Sequence, residues 1–247
     1  MKYNKKIYLY DDSIGYVEYI EHMGNDKTIV QSARVSFGKD DANELTERDI
    51  KLVDYLIRNK HTSTLEHCNI TFKFVVPLFV RSQHHRHRTW SYNEWSNRYR
   101  DLTKEDNKPL FYEPKQFRTQ HKSNRQASNA EELINPWIDE PDQWIQGRRV
   151  DDAVKDHHQE SVVLYNKMME LGVCREQARG ILPQNLYTSY YGTTSLLNAL
   201  KFIDLRDHEG AQYEIQVVAK AMNEILTDLY PITMAAYNIV KAERNNH

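Results

Sequence analysis

The sequence predicts an α+β fold, on three observations. In the N-terminal half, apolar residues recur at every second position in several stretches, which is the pattern of half-buried strands. In the C-terminal half, apolar residues recur at helical spacing over long segments. At 247 residues the chain is long enough for one sizeable core. We therefore expect one domain over residues 1–247, in which a sheet from the N-terminal half packs against long helices.

Strands are predicted on either side of a turn at 11–15 and again over 69–76. Pro77 ends the second region, because proline cannot donate to a strand ladder but suits the first position of a helix. We expect that helix to run to about His85. The alternating residues are Ile7, Leu9, Val17, Tyr19, Ile70, Phe72, Phe74 and Val76.

Helices are predicted in both halves of the chain. Thr46 to Asp49 forms a capping-box pattern, and the apolar face that follows is Ile50, Val53, Leu56 and Ile57. Gly172 and Pro183 are expected to stop two later helices. The predicted helices are 26–36, 46–60, 77–85, 156–171, 175–182, 194–206, 211–229 and a last one that Pro231 opens.

Composition narrows the class of protein. The net charge of −2 argues against a protein that coats nucleic acid, which usually carries a basic surplus. The two cysteines, Cys68 and Cys174, have neither metal-binding nor redox spacing, so a reducing, cytoplasmic setting is expected. The longest apolar run, 74–80, is far below the roughly twenty residues that span a bilayer, so no membrane segment is expected.

The most distinctive stretch is 86–100, which holds four arginines, a histidine, a carboxylate and several hydroxyls, and no aliphatic side chain. Guanidinium groups make bidentate, charge-assisted hydrogen bonds to phosphate, and hydroxyls complete such a site. A phosphate-binding site is therefore one interpretation of this stretch, and a solvated charged loop is the other.

Histidines cluster near this stretch, at positions 61, 67, 84, 85 and 87. Two metal ligands on one helix require a spacing of four, usually with a supporting carboxylate, and the run His84-His85-Arg86-His87 has neither. No metal is expected, and these histidines are assigned to packing and anion binding.

The spacing of Arg86-His87-Arg88, Asn93-Glu94, Ser96 and Arg98-Tyr99 resembles the signature of the flavin-dependent thymidylate synthases, also called thymidylate synthase complementing proteins. The resemblance covers about 15–100 and 160–230. The further matching residues are Met23-Gly24-Asn25-Asp26, Ala33-Arg34-Val35-Ser36-Phe37, His61, Glu66-His67, Gln83, Ala178-Arg179, Leu182-Pro183, Asn185-Leu186-Tyr187-Thr188, Leu205-Arg206, Ala211-Gln212 and Glu214-Ile215.

The resemblance implies a methyltransferase that converts dUMP to dTMP by reductive methylation. In such enzymes FAD, reduced by NADPH, relays a one-carbon unit from methylenetetrahydrofolate, so the protein needs no nucleophile of its own. Cys68 and Cys174 are accordingly interpreted as packing thiols. The resemblance also implies a homotetramer with active sites shared between subunits.

The resemblance assigns site residues by position. Arg206 is expected to lie against the uracil ring and, with His61, to be catalytic. The expected nucleotide-binding residues are Gln83, Arg86, Glu94, Ser96, Asn97, Arg98, Arg179 and Arg206. The expected flavin-binding residues are Ser36, His61, Ser63, Glu66, Arg86, His87, Arg88, Ser195 and Lys201.

The chain also departs from the family pattern. Ser195, Leu197, Lys201 and Gly210 stand where the family usually has asparagine, arginine, asparagine or histidine, and histidine, and these are flavin contacts in the family. Asn97 replaces a usual glycine. A diverged member could make another C5-substituted pyrimidine, such as hydroxymethyl-dUMP, or could use another pyrimidine nucleotide.

Residues 101–155 fall outside the resemblance. We expect them to form an excursion, that is, a segment added to the family fold. Within it, 116–128 is interpreted either as an active-site flap, whose Arg118, Lys122 and Arg125 meet an anionic cofactor tail, or as a solvated loop. Two rival functions remain open: a metal-dependent nucleotide phosphohydrolase that uses the histidines, and a nucleic-acid-binding module that stacks bases on Trp90, Tyr92 and Trp95.

Overall fold

The computed structural model describes residues 3–36, 38, 44–125, 127–139 and 146–245. Its main sheet has five strands, all paired antiparallel, and two further pairs of short strands lie outside that sheet. The strands are β1 Lys6–Tyr8, β2 Tyr16–Met23, β3 Asn69–Pro77, β4 Ser91–Glu94, β5 Phe117–Gln120, β6 Ser128–Ile134, β7 Trp137–Ile138, β8 Arg148–Arg149 and β9 Tyr187–Ser195.

Helices follow or separate these strands, and the longest are in the C-terminal half. Three short 3₁₀ helices lie at Thr62–His67, Glu105–Asn107 and Arg179–Ile181. The α-helices are α1 Asp26–Val35, α2 Glu47–Arg58, α3 Leu78–His84, α4 Val150–Glu170, α5 Arg175–Ala178, α6 Leu196–Arg206, α7 Tyr213–Leu229 and α8 Pro231–Asn245.

The main sheet has the strand order β1-β2-β3-β9-β4, which confirms the α+β class. The predicted turn at 11–15 joins β1 to β2, and β3 is the predicted strand with Pro77 as its last residue. Pro77 is the residue before α3 rather than its first turn. The sheet also contains β9, a strand from the C-terminal half that pairs with β3 along its full length.

The prediction missed β9 and placed a helix start at Thr194, whereas α6 begins at Leu196. Residues 187–195 contain tyrosine, threonine, serine and glycine but no aliphatic residue, so they show no apolar alternation. Tyrosine and threonine nevertheless favour strands, and that composition was the available signal. The edge strand β4 was missed for the same reason.

The core lies between one face of the sheet and helices α1, α2, α6, α7 and α8. Phe74 and Tyr190 face each other across β3 and β9, with ring centroids 5.1 Å apart. The predicted capping box at Thr46 and Asp49 is present at the start of α2. Ile50, however, is 49% exposed, because it lies on the outer side of α2 while Val53, Leu56 and Ile57 are buried.

A buried carboxylate joins the first helix to the last. Asp26, at the start of α1, accepts hydrogen bonds from the backbone N–H groups of Ile232 (3.0 Å) and Thr233 (2.9 Å) and from the Thr233 hydroxyl. A carboxylate at a helix N-terminus satisfies N–H groups that have no partner within the helix. Asp26 therefore caps α8 and ties the two ends of the fold together.

The predicted excursion contains regular structure. It includes the hairpin of β5 and β6, the pair β7 and β8, and the first turns of α4, which begins at Val150 rather than at the predicted Asp156. A second, smaller core supports it where Leu102, Tyr165 and Leu186 are buried together. The assignment of 1–247 to one domain stays a prediction. Among the described residues, no helix is long and apolar enough to cross a bilayer.

Candidate active site

The stretch 86–100 forms a turn, the edge strand β4 and a second turn, directly after α3. Arg86, Arg88 and Arg98 have exposed side chains, whereas Arg100 is half-buried against the Trp95 ring, 3.8 Å from its centroid. The sheet thus holds the backbone of this stretch in place while three guanidinium groups remain accessible. A fixed backbone with accessible guanidinium groups favours the interpretation as a phosphate-binding site over that as a solvated charged loop.

The histidines at the end of α3 lie among aromatic rings. His84 is fully buried, and its ring centroid lies 4.6 Å from that of Trp90 and 4.7 Å from that of Phe74. Its Nδ1 is hydrogen-bonded to the Tyr190 hydroxyl at 2.8 Å, and burial lowers its pKa well below the usual value. Within the described ranges, no group of three or more His, Cys, Asp and Glu side chains is arranged to hold a metal ion.

The structure brings together two of the predicted residues, Arg206 and His87. Arg206, at the end of α6, donates from Nε to Nε2 of His87 at 3.2 Å. Burial, together with the Arg206 charge, lowers the pKa of His87 to about 4. His87 is therefore a neutral imidazole at pH 7, with Nε2 as the acceptor and the proton on Nδ1. This hydrogen bond fixes the direction of the Arg206 guanidinium.

Glu94, Ser96 and Asn97 lie at the end of β4 and in the turn after it. Glu94 accepts a hydrogen bond from the Thr188 hydroxyl on β9 and lies 3.5 Å from Nε of Arg81. The Ser96 hydroxyl accepts from the backbone N–H of Arg98 at 3.3 Å. Among the described residues, the buried Oδ1 of Asn97 has no hydrogen-bond partner, and buried polar atoms normally have one.

Gln83 contacts a polar group that the sequence interpretation did not assign to the site. Its Nε2 donates to Oε1 of Gln212, and Nε2 of Gln212 donates to Oε2 of the buried Glu214 at 2.9 Å. Arg118, from β5, donates to the other oxygen of Glu214 at 2.6 Å. Gln212 and Glu214 were seen as part of a motif, but only the fold shows that they connect Gln83 to the excursion.

Arg118 therefore does not behave as the flap interpretation expected. Its guanidinium turns inward, to Glu214 and to the Ser128 hydroxyl at 3.0 Å, because a buried carboxylate needs a charged partner. Lys122 and Arg125 lie in the turn between β5 and β6, and both are exposed.

Four of the nine predicted flavin residues lie at the end of α1 and in or next to the 3₁₀ helix at 62–67. The 3₁₀ helix at 62–67 packs against both α1 and α6. Ser36 caps the C-terminus of α1, His61 immediately precedes the 3₁₀ helix, and Ser63 and Glu66 lie within it. These four residues are exposed, so their hydroxyl, imidazole and carboxylate groups are accessible.

The four residues that depart from the family pattern, at positions 195, 197, 201 and 210, lie in different structural settings. Ser195 caps α6 by accepting from the backbone N–H of Asn198 at 3.4 Å, and Leu197 is buried in the core. Lys201 is exposed on α6. A Cβ atom at Gly210 would meet Cε1 of His208 at 3.2 Å, so the His208 ring occupies the space that a side chain at position 210 would enter.

Arg179 is a predicted nucleotide-binding residue that lies outside the 86–100 stretch. It lies at the end of α5, beside the smaller core, and its side chain is exposed. Among the described residues it has no hydrogen bond or ion pair that links it to Arg206, Gln83 or Glu94.

The family model described as thymidylate synthase complementing protein matches residues 18–232. The chain is 40% identical over 223 residues to the flavin-dependent thymidylate synthase of Thermus thermophilus, covering 90% of this chain and 75% of that protein. It is 36% identical to the corresponding protein of Kosmotoga olearia, covering 90% of each. The chain belongs to the flavin-dependent thymidylate synthase family. This confirms the resemblance and the expectation of an enzyme of the methyltransferase class.

Solved structures agree with this membership. A UMP/dUMP methylase, PolB of Streptomyces cacaoi, bound with 5-Br dUMP, superimposes with a TM-score of 0.71 at 28% identity, covering 90% of this chain and 94% of that one. The same protein bound with 5-Br UMP gives a TM-score of 0.70 at 26% identity. Family membership decides against both rival classes, the metal-dependent phosphohydrolase and the nucleic-acid-binding module.

Proposed function

We propose that this flavin-dependent thymidylate synthase family member converts dUMP to dTMP, with FAD as cofactor, NADPH as reductant and methylenetetrahydrofolate as carbon donor. The observation that carries the proposal is the family match over 18–232, within which Arg206 is held against a neutral His87. When bound, the flavin would supply the electrons and relay the one-carbon unit.

The cysteines fit a reaction that needs no protein nucleophile. Cys68 is buried, and burial, with the charge of Asp26, raises the pKa of its thiol to about 12. A thiol with so high a pKa is almost entirely protonated at neutral pH and is a poor nucleophile. Cys174 is exposed at the start of α5.

The residues on the flavin side also fit the cofactor in part. Ser36, His61, Ser63 and Glu66 present exposed hydrogen-bonding groups, and Arg88 offers a charge for a diphosphate. Ser195 is used as a helix cap, so it offers less to a cofactor than a free amide would. In this proposal His61 acts beside the flavin, and Lys201 or His208 provides some of the contacts that Leu197 and Gly210 cannot.

For the nucleotide, we assign the phosphate to Ser96 and Arg98, with Arg86 and Arg179 as further cations. Gln83, Glu94 and Asn97 contact the sugar or the ring. Arg206 stabilises the negative charge that develops on the uracil carbonyls, which is electrostatic preorganisation. Because Nε of Arg206 is committed to His87, its remaining N–H groups are those that can face the ring.

A homotetramer with shared sites would give exposed arginines of one subunit a place in the site of another. Arg86, Arg98 and Arg179 are exposed in the single chain, and a neighbouring copy could bring such residues to the same nucleotide. The unpaired buried Oδ1 of Asn97 would gain a donor in the same way.

A second candidate is methylation or hydroxymethylation of a related nucleotide. The observation that favours it is the fold similarity to a methylase bound with 5-Br UMP as well as with 5-Br dUMP, together with the departures at positions 195, 197, 201 and 210. UMP is therefore an alternative substrate, and hydroxymethyl-dUMP an alternative product.

The deciding experiment is a visible absorption spectrum recorded while FAD, then dUMP or UMP, is titrated into the purified protein. We expect flavin bands that shift on addition of dUMP, and a product 14 Da heavier than dUMP in the presence of NADPH and methylenetetrahydrofolate (about one CH₂ group). A larger shift of the flavin bands and a faster turnover with UMP than with dUMP would establish the second candidate. A protein that binds no FAD would overturn both.

A further inference from the structure

A chain of hydrogen bonds runs from the excursion to Gln83, and one buried carboxylate sets its direction. Glu214 is 3% exposed, and an ionised carboxylate can only accept hydrogen bonds. Its Oε1 accepts from Arg118 at 2.6 Å and from the Tyr112 hydroxyl at 3.1 Å. Its Oε2 accepts from Gln212 at 2.9 Å. Both oxygens are thus occupied by donors from different elements.

The carboxylate fixes the orientation of two amide groups in turn. Since Glu214 must accept, Gln212 must present its NH₂ group to Glu214 and its carbonyl oxygen to Gln83. Gln83 must then donate its own NH₂ group to Gln212, as the structure has it. An amide that is held by its nitrogen turns its carbonyl oxygen the other way, and that oxygen can only accept.

We propose that Arg118 is a positioning residue: through Glu214 and Gln212 it holds Gln83 so that the Gln83 carbonyl oxygen accepts a hydrogen bond from the bound nucleotide. The proposal rests on the proposed function, which places Gln83 at the nucleotide. A uracil nucleotide offers two suitable donors, the ring N3–H and a sugar hydroxyl. The carbonyl oxygen would reject a nucleotide that presents only an acceptor there.

Arg118 is well placed for this role because several contacts hold it. Its Nε donates to Ser128 on β6, and its guanidinium lies 4.9 Å from the centre of the Tyr213 ring. The Tyr10 hydroxyl also donates to the backbone carbonyl of Glu214 at 2.9 Å. Arg118 of the β5–β6 hairpin and Tyr10 together therefore hold the start of α7, where Glu214 lies.

The test is calorimetric titration of dUMP into the FAD-loaded enzyme carrying Arg118→Met. We expect a dissociation constant about tenfold higher than in the wild type, the loss of roughly one charge-assisted hydrogen bond. The matched control is Arg148→Met, which removes an exposed arginine that pairs with Asp156 elsewhere in the excursion. It should bind dUMP as the wild type does.

A merely structural role is separated by two further variants. Arg118→Met combined with Glu214→Gln removes both charges, so the melting temperature should recover while dUMP binding stays weak, because a neutral amide no longer dictates the orientation of Gln212. Gln212→Leu leaves the ion pair intact and should weaken binding about as much. In a Gln83→Leu background, Arg118→Met should add no further loss of affinity.

Nucleotide analogues identify the donor. If the ring N3–H is the donor, 3-methyl-dUMP, which lacks it, should bind the wild type and Arg118→Met equally. If the sugar hydroxyl is the donor, 2′,3′-dideoxyuridine monophosphate, which lacks it, should do so instead. A tenfold difference retained by both analogues would overturn the acceptor role of Gln83. If wild-type dUMP binding is intact and neither Arg118→Met nor Gln212→Leu changes it by more than twofold, the positioning role is wrong. A wild type that ignores dUMP overturns the proposed function as well.

Discussion

Arg206 and His87 are far apart in the sequence, and one hydrogen bond decides how both behave. Burial keeps His87 neutral, and the neutral ring can accept from Nε of Arg206. A protonated His87 could not accept and would repel the guanidinium. At the scale of single residues, the protonation state of His87 therefore controls the orientation of the Arg206 guanidinium, which we assign to the uracil ring.

Replacing Arg206 with alanine should lower kcat about 10²- to 10³-fold, the usual cost of removing one preorganised donor from a developing negative charge. The dissociation constant for dUMP should change much less, because the phosphate contacts remain. Single-turnover kinetics of dTMP formation measure the effect. Arg58→Ala, on the exposed side of α2, serves as the control. Unchanged turnover in Arg206→Ala would show that this residue is not assigned correctly.

The pH dependence of stability should report His87. Its pKa is about 4 in the folded protein and about 6.5 when unfolded, so between these values the unfolded chain binds more protons. Its contribution is therefore fully present above pH 6.5 and is lost as the pH falls towards 4. Since His87 is half-buried, we expect a loss of about 1 kcal/mol after allowance for solvent screening.

Urea unfolding at pH 7.0 and 4.5 measures this loss. His87→Gln should reduce the difference between the two pH values, whereas His67→Gln, at an exposed position, should not. The fully buried His84, whose pKa is lowered in the same direction, will keep part of the slope in both variants. Equal slopes in all three proteins would contradict the assignment to His87.

At the scale of elements, β9 connects the core to the candidate site. It pairs with β3 on one side and with β4 on the other, and its Thr188 holds Glu94. Gly192, on β9, is paired with Phe72 of β3 and with Tyr92 of β4. A Cβ atom there would meet Cε2 of Phe74 at 3.0 Å and Cε3 of Trp90 at 3.2 Å.

Gly192→Ala should therefore lower the free energy of unfolding by about 1 to 2 kcal/mol, because the extra methyl group must displace one of two packed rings. Urea titration measures it. The control is Gly180→Ala, since among the described residues, apart from its chain neighbours, no atom lies within 4 Å of a Cβ atom at Gly180, and its effect should be within about 0.5 kcal/mol. A Gly192→Ala protein as stable as the wild type would mean that Trp90 can shift at little cost.

The elements that were predicted correctly carry strong local signals. The turn at 11–15, the alternation over 69–76, the capping box at Thr46, the helix predicted over 211–229 and the last helix opened by Pro231 each follow from a few neighbouring residues. The two strands of the main sheet that were missed, β4 and β9, are polar and gain their stability from pairing with distant partners. Local pattern does not report that pairing, because β propensity depends on the neighbours a strand finds.

At the scale of the whole molecule, the exposed arginines are the main unexplained feature of the single chain. Arg86, Arg88, Arg98 and Arg179 all face outward, although a nucleotide site requires convergence. A homotetramer with shared sites makes a direct prediction: two variants, each inactive, should complement one another when they assemble together.

Arg98→Ala and Arg206→Ala, refolded or co-expressed together, should regain roughly a quarter of the wild-type activity, because random mixing of subunits leaves about a quarter of shared sites with both arginines. Each variant alone is the control, and analytical ultracentrifugation checks the assembly. No recovery in mixed tetramers would mean that both residues act within one subunit.

What the sequence by itself determined was the fold class, the family and the candidate residues, because these depend on local periodicity, capping and motif spacing. The tertiary structure decided which of these residues meet. It joined Arg206 to His87 and connected Gln83 through Gln212 and Glu214 to Arg118, and it used Ser195 as a cap. Motif spacing cannot report such contacts, since they depend on how strands and helices distant in the chain pack together.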